Sequence, residues 1–410
     1  MKRGLIALAL GTFALGIAEF AMMGILGDVA RSLDINVVEA GHLISAYSTG
    51  VAIGAPMLIV LRRMPLQRLL LFLASFIIVG NTAAALSPNF WTLMTARFVS
   101  GLPHGAFFGA GAIVCSRLSG PGKGAAAVAV MVGGMTVANV AGVPLATFIS
   151  NVLSWRGTFA IVACAGAAAF VGIRAWIPRL APVPDTGLRG QFRFLRSAAP
   201  WLIYSGVFFG QMAVYCYFSY VEPAMTQVAG FSQEAMTWIM VLAGAGMVSG
   251  NFLAGRLADT FGAARVSGCI ALLIMVLMPL IYIYADVKWA SLALLFLATA
   301  CLFGIGGPLQ YLIVKFSAGG EMLGGAGIQI AFNVSNALAA LVGGAVIRHG
   351  WGYAGPALAG IPAAAIGAAA LFILVHKYKD RAQCPLPNAS KIWSAAIAWL
   401  HSRAFSTVSA

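Results

Sequence analysis

Long apolar stretches, each long enough to cross a lipid bilayer as a helix, recur from one end of the sequence to the other. A hydrocarbon core about 30 Å thick needs roughly 20 apolar residues per helical crossing. We predict twelve such spans, joined mostly by short connections. Spans 1 to 6 are expected near 5–27, 42–61, 67–87, 91–116, 126–150 and 158–177. Spans 7 to 12 are expected near 201–222, 236–256, 265–285, 289–314, 325–347 and 353–375.

A proline-containing, basic segment separates the first six spans from the last six. The pattern therefore predicts an all-α membrane protein made of two six-helix bundles that repeat one another, an architecture found in one large class of secondary transporter. The expected division is an N-terminal bundle at 1–177, a linker at 178–200, a C-terminal bundle at 201–376 and a polar, basic tail at 377–410.

Composition supports a membrane protein and argues against a soluble enzyme. Of the 410 residues, 61% are hydrophobic and 9% charged, whereas soluble domains carry roughly 25% charged residues. The six cysteines are scattered singly, so neither a metal site nor a redox pair is expected. No phosphate-binding loop, zinc-protease motif or serine-nucleophile motif is present in the sequence. We expect no cofactor, and an ion gradient as the energy source.

The basic residues lie mainly in the connections on one side of the predicted membrane. With the N-terminus in the cytoplasm, the opposite side holds only four basic residues in the connections: Arg31, Arg156, Lys288 and Arg348. This asymmetry predicts cytoplasmic N- and C-termini. It also accounts for the net charge of +14, because the excess basic residues lie beside the anionic lipids of the cytoplasmic leaflet. A nucleic-acid partner is not expected, because the basic residues form no stripe.

Three ionisable residues within the spans are candidates for proton coupling. Glu19 lies inside span 1 without a charged neighbour, and an acid at that depth usually marks an ion or substrate path. Arg97 in span 4 lies at a similar depth, and His104 follows seven residues later, on roughly the same face. Structural roles remain open for all three: a hydrogen-bonded carboxyl, a helix-packing anchor and a hydrogen-bonded histidine.

Uncharged amides are the candidates for contact with a transported molecule. Gln329, Asn333 and Asn336 share one face of span 11. An amide stripe beside a cavity suits a polar, hydroxylated ligand, although hydrogen bonding between helices would explain it equally well. The full candidate set is Asn139, Gln211, Gln310, Gln329, Asn333 and Asn336.

Several motifs resemble the drug:proton antiporter branch of the major facilitator superfamily. They are Gly11-Thr12-Phe13 with Gly16–Phe20 in span 1, Arg97–Gly109 in span 4, and Ser154-Trp155-Arg156 before span 6. The resemblance implies two six-helix bundles that rock about a central cavity, with the span-4 arginine acting in proton coupling. That arginine is Arg97 here.

The resemblance also implies a gating motif in the loop between spans 8 and 9. Its Gly-x3-Asp-x2-Gly-x2-Arg pattern is matched by Gly255, Asp259, Gly262 and Arg265. The loop between spans 2 and 3 has lost the corresponding glycine and aspartate. In span 5, Val143 separates the glycine and proline that are adjacent in the antiporter motif.

We therefore expect a monomeric secondary transporter of the inner membrane that exports a small organic solute, such as a sugar or drug, in exchange for protons. An importer or a facilitator of the same fold is the first alternative. An intramembrane enzyme or a receptor is the alternative from a different class.

Overall fold

The computed structural model describes residues 2–57, 61, 63–119, 124–182, 192–317 and 320–378, and these residues form helices and turns without a β-strand. Spans 1 to 6 are formed by Lys2–Gly24, Val37–Gly54, Leu66–Ala85, Phe90–Gly101 with His104–Leu118, Gly124–Val137 with Val143–Val152, and Trp155–Trp176. Spans 7 to 12 are formed by Ala198–Phe218, Met236–Phe261, Ala263–Ile283, Lys288–Gly304 with Gly306–Phe316, Glu321–Val346, and Pro356–Lys377. A short helix, Leu26–Ser32, extends span 1.

All twelve predicted spans are helical, and ten of them are long and apolar enough to be recognised as membrane crossings by length and hydropathy alone. The other two are span 2, at Val37–Gly54, and span 7, at Ala198–Phe218. Both helices carry polar side chains that lower their mean hydropathy, among them His42 in span 2 and Gln211 in span 7. Gln211 is buried against neighbouring helices, whereas His42 near the start of span 2 is half-buried.

Three spans are interrupted where their sequences disfavour a continuous helix. Span 4 breaks at Leu102 and Pro103, so that His104 begins the second helical segment. Proline lacks the N–H that a helix interior needs, which accounts for this break. Span 10 breaks at Ile305, and a π-helical turn, Ala138–Gly142, interrupts span 5 just before Pro144.

Glycines allow close backbone packing at equivalent places in the two bundles. A Cβ atom on Gly50 of span 2 would overlap the carbonyl oxygen of Phe98 in span 4. A Cβ atom on Gly250 of span 8 would likewise overlap the carbonyl oxygen of Ala300 in span 10. Small residues permit such approach in lipid, where apolar area supplies little driving force for helix association. The same packing device therefore joins spans 2 and 4 and spans 8 and 10.

Among the described residues, the two bundles share a hydrophobic core at one end of the molecule. We call this the closed end, because span 1 finishes there and one core cluster contains side chains of both bundles. Across the bundle interface, the rings of Phe20 and Phe303 lie 5.7 Å apart. Two further clusters each stay within one bundle: residues 7–177 contribute one and residues 194–374 the other.

Hydrogen bonds between the bundles lie at the same closed end. Four are found among the described residues: Gly27 N–H to Glu222 at 2.8 Å, Ser45 to the Ala337 carbonyl at 2.8 Å, Asn151 to the Gln233 carbonyl at 3.1 Å, and Gln233 to Asp28 at 3.2 Å. The bundles are therefore held together at one end of the molecule, as expected for one of the two states of a rocking transporter.

Parts of the predicted linker and tail fall outside the described residues. In the linker these are residues 183–191, and in the tail residues 379–410. The described part of the linker contacts the N-terminal bundle, because Arg117 at the end of span 4 donates a 2.5 Å hydrogen bond to the Ala181 carbonyl. The linker ends in a 3-10 turn, Arg193–Arg196, just before span 7.

Candidate functional site

Glu19 is buried in the interior of the N-terminal bundle with no hydrogen-bond partner among the described residues. Its side chain is 1% exposed, and neither carboxyl oxygen receives a hydrogen bond. Leaving a buried polar group without a partner costs about 1–3 kcal/mol, and more for a charged group. The nearest ionisable neighbour is His104, whose Nε2 lies 3.8 Å from Glu19 Oε2. The cost of an unpartnered carboxylate favours the protonated form of Glu19 in this state.

Arg97 is fully buried and bonds to the backbone beside Glu19 rather than to its carboxylate. The guanidinium donates to the Ala18 carbonyl at 2.6 Å and to the Leu43 carbonyl at 3.4 Å, while Nη2 has no partner among the described residues. It also lies 4.4 Å from the ring centre of Tyr47, a cation–π distance. The positive charge of Arg97 is therefore fixed close to Glu19, and its Nη2 amino group is still free to donate a hydrogen bond within the described part of the chain.

His104 connects Glu19 to Tyr47. Its Nδ1 lies 3.0 Å from the Tyr47 hydroxyl, which also approaches the Leu15 carbonyl at 3.3 Å. If the Tyr47 hydroxyl donates its one proton to the Leu15 carbonyl, its oxygen can only accept from His104. His104 then carries its proton on Nδ1 and donates it to Tyr47. The Nε2 that faces Glu19 is then a free acceptor. Glu19, Arg97 and His104 thus lie together in the structure, and Tyr47 joins them.

The amide face of span 11 is buried and only partly hydrogen-bonded. Asn333 donates to the Gln329 carbonyl at 3.0 Å, but its side-chain oxygen has no partner among the described residues. Both polar atoms of the Asn336 side chain lack one as well, although this residue is fully buried. Within the described part of the chain, the side-chain oxygen of Asn333 and both polar atoms of Asn336 make no hydrogen bond to a neighbouring helix. Their hydrogen-bonding capacity is available to a ligand.

The remaining amide candidates are distributed over three other spans. Gln211 in span 7 is buried and donates a 3.4 Å hydrogen bond to the Leu302 carbonyl, with its oxygen unpartnered among the described atoms. Gln310 in span 10 is half-buried. Asn139 lies in the π-helical turn of span 5, and its side-chain oxygen also lacks a partner in the described chain.

Asn139 lines a narrow crevice between the two bundles. The crevice has a volume of about 60 Å³ and is also lined by Met135 and Thr136 of span 5, Asn251 of span 8 and Phe303 of span 10. It holds little more than a few water molecules, so a solute would need the bundles to separate further here. Close packing limits it on one side, because a Cβ atom on Gly244 would overlap the Asn139 carbonyl oxygen.

The motif that the sequence predicts to act in gating lies at the end of span 8, on the side away from the closed end. Gly262 ends the helix with φ at +89°, a conformation that favours glycine and turns the chain into span 9. Asp259 and Arg265 are both exposed, and neither takes part in an ion pair within the described part of the chain. The structure thus explains Gly262 by backbone geometry and leaves the two charged residues free to contact other groups.

Three buried residues near these sites were not predicted from the sequence. Tyr47 contacts His104 and Arg97, and Tyr215 in span 7 is buried with its hydroxyl unpartnered among described groups. Glu222 accepts a hydrogen bond across the bundle interface. A tyrosine inside an apolar span was the only signal available for the first two, and it is a common feature of membrane helices.

Comparison with known proteins places these features in a family. A family model described as Major Facilitator Superfamily matches residues 8–319 and 203–408. AraJ of Escherichia coli strain K12, which carries the name of a transporter, is 43% identical over 95% of this chain and 99% of its own. The chain belongs to the major facilitator superfamily.

Other members of the superfamily extend the comparison in function and in fold. A chloramphenicol resistance protein of Streptomyces lividans is 32% identical over 87% of this chain and 92% of its own. Among solved structures, a bacterial homologue of the human lysosomal transporter Spinster, in an inward-facing and unoccupied conformation, superposes with a TM-score of 0.72. It covers 93% of this chain and 98% of its own at 16% identity, so it supports the fold alone.

The superfamily membership confirms the predicted fold and the general activity. The protein is an all-α, multi-pass transporter of the bacterial inner membrane and not an enzyme. The resemblance to this superfamily, which the sequence motifs indicate, is confirmed by the match to AraJ over nearly the full chain.

Proposed function

We propose that this transporter exports a small, uncharged organic solute from the cytoplasm in exchange for protons, by rocking of the two bundles. The N- and C-termini would lie in the cytoplasm, so that the closed end faces outward. The division into bundles at 1–177 and 201–376, with a basic linker and tail, is part of this proposal. The distribution of basic residues and the joining of the bundles at one end support it.

Glu19 is the residue on which the proposal depends. It is a fully buried acid with no hydrogen-bond donor, beside a fixed guanidinium and an imidazole nitrogen. In this state the carboxyl holds a proton, because an unpartnered carboxylate in a low-dielectric interior is costly. When water reaches the site from the cytoplasmic side, Glu19 releases the proton and its charge is balanced by Arg97.

Arg97 and His104 would assist this exchange in different ways. The Nη2 amino group of Arg97 has no partner among the described atoms and can turn toward the ionised Glu19. Such a charge-assisted hydrogen bond stabilises the carboxylate only when the proton has left. His104 presents Nε2 toward Glu19 at 3.8 Å, close enough to pass a proton through one small rearrangement or a water molecule.

The amide side chains of both bundles would bind the solute. Asn333 and Asn336 in span 11, Gln211 in span 7 and Asn139 in span 5 all keep unpartnered polar atoms among the described residues. Amides both donate and accept, and none of them carries a charge. They therefore suit hydroxyl, carbonyl or amide groups of a neutral solute, such as a sugar or an uncharged drug. Gln310 and Gln329, which are half-buried, would extend this surface.

Transport assays in inverted membrane vesicles test the proposal. Sugars, nucleosides and lipophilic drugs would first be screened by thermal shift of the purified protein to identify a ligand. An imposed inward-acidic gradient should then drive accumulation of that ligand in the vesicles, and Glu19→Gln should abolish the accumulation. Accumulation that ignores every imposed proton gradient would overturn proton exchange.

An importer or facilitator of the same fold is the second candidate. It is favoured by the insertion of Val143 between Gly142 and Pro144, which changes the antiporter motif of span 5. The π-helical turn that ends at Gly142 packs on Gly244 of the other bundle, so this segment contributes to the bundle interface. Ligand counterflow without any effect of a proton gradient would favour this candidate.

A further inference from the structure

A buried carboxylate at the closed end has no place in the proton site described above. Glu222 follows span 7, is 1% exposed and accepts a 2.8 Å hydrogen bond from the backbone N–H of Gly27. Glu222 belongs to the C-terminal bundle, whereas Gly27 follows span 1 in the N-terminal bundle. The contact therefore exists only while the two bundles are together at this end.

A side chain at Gly27 would displace the Glu222 carboxyl group from its present position. A Cβ atom there would lie 2.6 Å from both carboxyl oxygens of Glu222, well inside van der Waals contact. The carboxylate thus packs directly against the backbone of the opposing bundle. Because both oxygens lie against Gly27, a side chain at position 27 would move the carboxyl group away from the Gly27 N–H and break this hydrogen bond.

Other polar groups bridge the interface beside this contact. Asp28, next to Gly27, accepts from Gln233 of the C-terminal bundle at 3.2 Å and from Ser150 of its own bundle at 2.6 Å. It also pairs with Arg31 at 2.5 Å. Asn151 in turn donates to the Gln233 carbonyl at 3.1 Å. Asp28 and Arg31 are the charged groups near Glu222, and they are part of the same closed-end network.

We propose that Glu222 is the latch of the outer gate: its hydrogen bond to Gly27 holds the closed end shut and must break in every transport cycle. The inference rests on the proposed rocking of the bundles. Gln233 of the same bundle also lies within reach of the Glu222 carboxyl group, but the donor from the opposing bundle is the Gly27 N–H in the closed state and must be replaced by water in the open state. A half-open, dry gate would supply neither. The latch thereby favours a gate that is fully closed or fully open.

A cysteine reporter at the interface tests the latch without any substrate. Ser45 is buried there and donates to the Ala337 carbonyl at 2.8 Å, so Ser45→Cys reacts with a membrane-impermeant maleimide only when the gate opens. In this background Glu222→Ala should raise the labelling rate roughly tenfold or more, as expected for loss of a charge-assisted hydrogen bond. Glu222→Gln, which keeps an acceptor oxygen, should stay close to the parent.

Two further variants make the test decisive. Gly27→Ala should raise the labelling rate as Glu222→Ala does, because it breaks the same contact from the other side. Glu234→Ala removes a carboxylate that is not buried and should leave the rate unchanged. The chain with Ser45 intact gives the background from the native cysteines. If Glu222→Ala fails to fold, Gly27→Ala decides the outcome.

The results separate the latch from the proposed function. Unchanged labelling in both Glu222→Ala and Gly27→Ala, with folded protein, would overturn the latch. Faster labelling in a protein that ignores proton gradients would support the latch and count against proton exchange. Vesicles of both orientations would be labelled, and faster reaction only from the cytoplasmic side would reverse the proposed orientation while supporting the latch.

Discussion

Arg97 donates a 2.6 Å hydrogen bond to the backbone carbonyl of Ala18, the residue immediately before Glu19. The bond attaches span 4 to span 1 at the depth of the buried acid, and it uses the helix backbone rather than the acidic side chain. The guanidinium is further held over the ring of Tyr47. A positive charge is thus kept beside Glu19 whether or not that residue is ionised.

Arg97→Lys should keep the charge but lose this geometry. A lysine ammonium cannot bond to the Ala18 and Leu43 carbonyls from one planar group, nor stack on Tyr47 in the same way. We expect folded protein with proton-driven transport reduced by at least about tenfold, the equivalent of about 1.4 kcal/mol. Vesicle uptake and thermal unfolding in detergent measure the two effects. Wild-type transport by this variant would show that charge alone suffices.

Glu19→Gln should separate solute movement from proton movement. The amide fills the same space as a protonated carboxyl but cannot release a proton. Exchange of labelled for unlabelled ligand should continue, whereas accumulation driven by an imposed proton gradient should stop. Glu234→Gln, which changes a carboxyl that is not buried, is the matched control. Gradient-driven accumulation by Glu19→Gln at the wild-type level would remove Glu19 from the coupling mechanism.

Asn336→Leu should distinguish a binding residue from a structural one. Since neither polar atom of the buried Asn336 side chain has a partner among the described residues, an apolar side chain of similar size should cost little stability. We expect the thermal unfolding temperature to stay the same or rise, while the affinity for the ligand falls by roughly tenfold, as for loss of one hydrogen bond of about 1 kcal/mol or more. Marked destabilisation with unchanged affinity would contradict a role in binding.

Gly50→Ala should destabilise the protein because its Cβ atom would overlap the Phe98 carbonyl oxygen. Forcing an extra methyl group into a packed interface typically costs about 1–3 kcal/mol. Gly133→Ala in span 5 is the matched control, because no atom of the described residues lies within 4 Å of the position of its Cβ. Thermal unfolding of both variants in detergent compares them. Equal unfolding temperatures would show that spans 2 and 4 can move apart at no cost.

Gly262→Ala and Gly255→Ala should differ in stability, although both change the predicted gating motif. Gly262 has φ at +89°, where an added Cβ is strained by about 1–2 kcal/mol. Gly255 lies within a helix with nothing near its missing side chain. We expect lower stability for Gly262→Ala and normal stability for Gly255→Ala. Loss of transport in Gly255→Ala without loss of stability would indicate that this glycine acts in gating rather than in the turn.

The sequence was sufficient for the spans and for the main charged residues. Each predicted span is helical because a chain in the bilayer must satisfy its backbone hydrogen bonds internally. Apolar length and hydropathy alone identify ten of the twelve spans. Glu19, Arg97 and His104 stand out in the sequence because ionisable groups are rare at that depth. Their meeting in one bundle follows from the packing of spans 1 and 4 against each other, which the sequence suggests only by similar depth.

The residues that the sequence missed depend on contacts between distant helices. Tyr47 contacts His104 and Arg97 only because glycines bring spans 2 and 4 together. Glu222 comes at the end of an apolar run, where an acid is ordinary, and it is buried only because the bundles meet at the closed end. The roles of Tyr47 and Glu222 depend on contacts with other spans, so no pattern within one span could reveal them.

Infrared difference spectroscopy of the purified protein in lipid nanodiscs, recorded during a pH titration, tests the central claim most directly. We predict a carbonyl band from a protonated, buried carboxyl that disappears as the pH is raised. Glu19→Gln should lack this band, and Glu234→Gln should keep it. A titrating buried carboxyl band that is the same in Glu19→Gln as in the wild type would contradict the account.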